Sequence, residues 1–103
     1  ALTDSAYESA IRKEIEEVID AIEGVGETAV VGVPHPDMGE AAVAVIAAKP
    51  DLDLETVKTT VGEKLARFKH PRRYEIVAEL PRNTMGKVQK AQLRETYKDS
   101  FTA

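Results

Sequence analysis

The sequence predicts an α+β fold, a single small domain in which about three strands form a sheet flanked by helices. Apolar residues recur at helical spacing in two separate stretches, and three short runs of strand-like composition alternate with them. A chain of 103 residues has material for one domain with one modest core. All of residues 1–103 are read as that domain.

Each element follows from local pattern. Ile11, Ile15, Val18 or Ile19, and Ile22 share one helical face, with acids on the other side, and Gly24 and Gly26 close the segment. "TAVVGVP" (Thr28–Pro34) reads as a short buried strand ended by Pro34 and Pro36, and "AAVAVIAAK" (Ala41–Lys49) as a second. Asp53 is a suitable N-cap for a second helix whose face is Leu54, Val57, Val61, Leu65 and Phe68. Pro71 disfavours helical geometry at the residue before it, so that helix ends at or before His70. "YEIVAEL" alternates Tyr74, Ile76, Ala78 and Leu80 against Glu75 and Glu79, which predicts a strand with one wetter face. Thr84–Gly86 is a turn, and a last helix from about Lys90 to Tyr97 buries Leu93 and Tyr97. Those apolar stretches are expected to be spent on one core, with little left for an enclosed pocket.

Composition narrows the function. The apolar fraction of 43% and charged fraction of 31% belong to a folded chain, not a disordered one. No apolar run approaches the roughly 18 residues of a membrane helix, and "ALTDSAYESA" lacks the basic start and apolar middle of a signal peptide. Without cysteine there is neither disulfide nor thiolate chemistry, which fits a cytoplasmic location. His35 and His70 are far apart and show no metal-ligand spacing. The net charge of −4 conceals an asymmetry. Residues 1–27 carry eight acids against Arg12 and Lys13, whereas residues 64–94 carry nine bases against Glu75 and Glu79. A local basic face attracts anions even on an acidic protein. It also serves as ordinary solvated surface.

Three constellations bear on chemistry. Lys87 follows Gly86 in a loop, but Val88 stands where a phosphate-binding P-loop requires Ser or Thr, so that motif is excluded. What remains is an ammonium on a mobile stem, suited either to a solvated hairpin tip or to stabilising charge on phosphate or carboxylate oxygens. "ARFKHPRR" (Ala66–Arg73) sets four permanent cations and a histidine around a proline, a composition suited to phosphate. Nucleic acid is not the expected partner, because the chain is acidic overall and lacks any RNA-binding motif. Phe68 is expected in the core. His35 and Asp37 have no nucleophile beside them, and with Gly39 and Glu40 they read as loop and strand entry.

Taken in order, "KEIEEVIDAIEGV", "TAVVGVPHPDMGE", "LARFKHPRR" and "ELPRNTMGKVQKAQLRE" resemble the C-terminal domain of the adenylate-forming superfamily. That superfamily comprises acyl- and aryl-CoA synthetases, adenylation domains and luciferases. The resemblance covers roughly residues 11–98. Phe68–Arg72 looks like the CoA-ligase branch, and "LPRNTMGKVQK" is similar to malonyl-CoA and fatty acyl-CoA synthetases. The resemblance implies a mobile lid that is inactive by itself and closes on a large N-terminal domain, with ATP, magnesium and CoA as substrates or ion of the full enzyme. It implies that Lys87 is the catalytic residue of adenylation and contacts ATP or acyl-adenylate. It also implies that His70, Pro71 and Arg72 lie at the CoA site, and that a protein lysine acetyltransferase switches off Lys87. Met38 stands where some members carry a cation near CoA. Ala6 and Tyr7 stand where a glycine pair belongs and Arg12 where proline is usual, so residues 1–10 are expected to be an atypical or foreign start. The alternative is a stand-alone module that holds a CoA-like or nucleotide anion without catalysis.

Overall fold

The computed structural model describes residues 4–37 and 39–101 of the chain. Helix α1 (Asp4–Asp20) leads into strand β1 (Val25–His35), which turns back into β2 (Gly39–Ala48). Helix α2 (Leu54–Lys64), a 3₁₀ turn (Arg67–Lys69), strand β3 (Arg73–Val77) and helix α3 (Lys90–Tyr97) follow. The sheet order is β1-β2-β3, with β1 antiparallel and β3 parallel to the central β2. This is the α+β domain that the pattern predicts. Asp53 caps α2 as expected, its carboxylate accepting the Glu55 N–H at 3.0 Å. Asp53→Ala should cost about 1 kcal/mol, read as a lower urea midpoint at unchanged m-value.

The apolar material divides into two clusters, one on each face of the sheet, instead of a single core. On one face Ile15 and Ile19 of α1 and Val57 and Val61 of α2 pack on Val30, Ala44 and Ile46. On the other, Leu93 and Leu80 pack on Ala29, Val31, Val33, Val43 and Val45, flanked by Val77, Val88 and Tyr97. Strand β2 is covered on both sides, which is why it reads as a near-continuous apolar run without alternation.

Four expectations are corrected. Strand β1 runs through Pro34 to His35, because β1 is an edge strand and a missing N–H on its free side breaks no ladder bond. The α2 stripe stops at Leu65, whose extended backbone ends the helix, and the following 3₁₀ turn leaves Phe68 66% exposed instead of in the core. Strand β3 ends at Val77, so Leu80 belongs to a separate segment. Ile76 shares the face of Tyr74 and pairs in register with Ile46, yet on this edge strand it is 47% exposed, while Val77 packs on the opposite face. Residues 6 and 7, where the resemblance sets a glycine loop, have helical backbone within α1. Met38 lies outside the described residues.

Candidate functional site

Two places bring the cations together in different ways. The first is the turn that carries Lys87. Asn83 builds it. Its side-chain oxygen accepts the Met85 N–H at 2.9 Å and the Lys87 N–H at 3.0 Å, and its carbonyl accepts the Gly86 N–H at 3.0 Å. Asn83 N–H in turn donates to the Lys87 carbonyl at 3.0 Å, and Arg82 and Val88 bridge antiparallel below. Gly86 adopts φ +82°, the left-handed region that glycine enters without a side-chain clash. The Gln89 side-chain amide donates to the Lys87 carbonyl at 3.1 Å, closing the base of the turn. Lys87 is exposed, and its ammonium has no acidic partner among the described residues. A rigid backbone thus presents a flexible, unneutralised charge. Met85 beside it is 89% exposed.

The second place is a recess of about 130 Å³ on the α1 face of the sheet, lined by Arg12, Gly32, Glu40, Phe68, Lys69 and Arg72 among others. His70 also lines it, and His70 Nε2 lies 3.0 Å from the Leu65 carbonyl. A carbonyl only accepts, so Nε2 carries the hydrogen in this bond. Pro71 is buried and fixes the chain between the two lining residues. The Arg72 backbone N–H donates to the Ala42 carbonyl at 2.9 Å, pinning the turn to β2, while its exposed guanidinium has no acidic partner among the described residues. Arg12 pairs with Glu40 at 3.2 Å and Lys69 with Glu14 at 3.0 Å, so part of the recess charge is already compensated. The Lys69 ammonium lies 5.7 Å from the centre of the exposed Phe68 ring.

The structure therefore gathers His70 and Arg72 into one recess and leaves Lys87 elsewhere. Residues missed by pattern are Asn83, whose turn chemistry was a legible signal, and Phe68, which helical spacing assigned to the core. Burial pushes the Tyr74 phenol above its ordinary value. Burial, then the Glu75 carboxylate, does the same for Tyr97 against the pull of Arg73, so neither tyrosine supplies a base near neutral pH. Among the described residues no three His, Cys, Asp or Glu side chains converge on a metal-sized site. No described helix is long and apolar enough to cross a membrane.

A small α+β domain with a loop-borne lysine and a cationic recess is the shape that the comparisons select. The profile described as "AMP-binding enzyme C-terminal domain" matches residues 14–87, and the chain belongs to that family. In Mycobacterium tuberculosis it is similar to a propanoyl:CoA ligase whose named substrate carries a methyl-dioxo-octahydro-indenyl group, with 45% identity across 80% of this chain and 17% of that protein. The long-chain-fatty-acid–CoA ligase FadD13 of the same organism is 37% identical over 90% of this chain and 19% of its own length. Among solved structures, ATP-bound MatB from Rhodopseudomonas palustris superposes with a TM-score of 0.84 at 49% identity, over 88% of this chain and 18% of that one. The chain thus spans about a fifth of the length of these relatives.

Proposed function

We propose that this domain is the mobile lid of an ATP-dependent carboxylic acid:CoA ligase, working with a large N-terminal domain that binds ATP and the acid. In the first half-reaction the acid's carboxylate attacks the α-phosphorus of ATP and pyrophosphate leaves. Lys87 reaches into that site and offsets the negative charge building on the oxygens. In the second, the CoA thiol displaces AMP, and the recess of Phe68, His70 and Arg72 holds part of the CoA. Arg72 supplies charge to a phosphate, and the Phe68 ring offers a stacking face.

The observation that carries this reading is the separation of the two places. The Lys87 turn is tied to Glu27 near the start of β1, whereas the recess lies over Gly32, on the face covered by α1. Five strand residues separate those anchors, roughly 16 Å along β1. One fixed pose of the domain does not bring both to the same reacting atoms, and two poses do, with the helpful charge withdrawn once adenylation is complete. Magnesium would accompany ATP on the larger domain, since no ligand cluster is found among the described residues. Acetylation of Lys87 by a protein lysine acetyltransferase would remove the charge and act as an off switch. The same reading includes a role in fatty acid metabolism and a cytoplasmic location, with which a cysteine-free sequence is compatible.

Arg72→Ala in the full-length ligase should raise the KM for CoA about tenfold or more, with acyl-adenylate formation unchanged. An unaltered KM for CoA would remove the recess from the mechanism.

A further inference from the structure

Lys87 is useful only if its turn is held in place, and the hydrogen bonds within the turn do not attach it to the sheet. Arg82 does. One guanidinium nitrogen donates to the Gly86 carbonyl at 2.8 Å, next to Lys87, and the other pairs with the Glu27 carboxylate on β1. Both side chains are part-exposed, so the pair contributes little to overall stability, but its fork geometry fixes direction.

Glu27 faces Arg82 because of an irregularity in β1. Val25 packs in the cluster under α1 and α2, whereas Ala29, Val31 and Val33 pack in the cluster under α3. Strict alternation from Val25 would put residue 27 on the α1 face. The register shifts between Val25 and Glu27, so Gly26 is an extra residue and Glu27 joins the face of Ala29. A Cβ at position 26 would lie 3.0 Å from the Ala47 carbonyl oxygen, a close approach that glycine accommodates. On the other side of the turn, Lys90 pairs at 2.7 Å with Glu16, whose carboxylate also accepts the Val30 N–H at 2.8 Å. The stem is therefore tied to the body on both sides.

We infer that Arg82 is a positioning residue for Lys87, and that the bulge at Gly26 exists to aim Glu27 at it. The catalytic part of this inference rests on the reading of Lys87 as the adenylation lysine. The test uses Arg82→Gln and Glu27→Ala in the full-length ligase carrying this domain, with hydrogen exchange followed in peptides spanning residues 83–87. Each variant should exchange the Met85 and Lys87 amides roughly tenfold faster. Each should also slow acyl-adenylate formation roughly tenfold through kcat, with KM for ATP and acid unchanged and thioester formation from supplied acyl-adenylate intact. Arg82→Lys, which keeps the charge but not the fork, should recover only part of both effects. Unchanged exchange in both variants overturns the positioning role. Faster exchange with undiminished adenylation upholds the positioning and sinks the catalytic reading of Lys87 instead.

Discussion

Replacing Lys87 by alanine should slow acyl-adenylate formation by the proposed ligase carrying this domain about 10²- to 10³-fold, the cost of losing one well-placed charge stabiliser. Thioester formation from supplied acyl-adenylate should continue at close to the parental rate, because the recess on the other face is untouched. The prediction is sharp because Lys87 does nothing structural. Its backbone N–H and carbonyl are engaged in the turn, and alanine preserves both. Its side chain is exposed and has no acidic partner among the described residues, so its removal leaves no buried group unsatisfied. The thermal midpoint should accordingly stay put while the first half-reaction collapses. Enzyme acetylated at Lys87 should behave like the alanine variant, since both lack the positive charge. Single-turnover formation of acyl-AMP, followed separately from CoA consumption, distinguishes the two steps. A variant that adenylates at the parental rate would reduce Lys87 to a solvated hairpin tip.

Ile46→Ala should be the most costly kind of change to the fold. Ile46 is fully buried on the central strand, between Thr28 on one side and Ile76 on the other. It shares its cluster with Ile15, Ile19, Val57 and Val61. Hydrogen bonds to both neighbouring strands hold the backbone at this position, so the site has little freedom to collapse around a cavity. A loss of about 2–5 kcal/mol is expected, enough to lower Tm by about 10 °C or more in a domain of this size. Ile76→Ala, at a partly exposed position opposite Ile46, provides the contrast, at less than about 1 kcal/mol. Similar losses for the two would mean that the sheet does not pack as described.

Those two isoleucines show what pattern reading reaches and where it stops. Periodicity located the three α-helices and three strands of the described residues, though not the 3₁₀ turn at Arg67–Lys69 or the extension of α1 back to Asp4. Capping chemistry at Asp53 and turn chemistry at Gly86 set two boundaries closely. Tyr74 and Ile76 share a face as alternation implies, but β3 is an edge strand of five residues and Ile76 on it stays 47% exposed, which spacing along the chain does not reveal. Phe68 was misread because helical spacing was extended past Leu65, where the backbone has already left the helix. Four motifs in order were enough to suggest the family that the comparisons establish.

The sequence by itself determined the elements, their order, the family resemblance and the identity of Lys87, His70 and Arg72 as residues of interest. These follow from spacing along the chain, which is local information. Only the tertiary structure decided that the apolar residues form two clusters, because that depends on which helix covers which face of β2. Only it separated the Lys87 turn from the cationic recess, and only it joined Arg82 to Glu27 across 55 residues of chain. That ion pair requires an extra residue in β1 to change which face a carboxylate points to. Such a parity change is a property of strand register, visible once two strands are paired and invisible in either one alone.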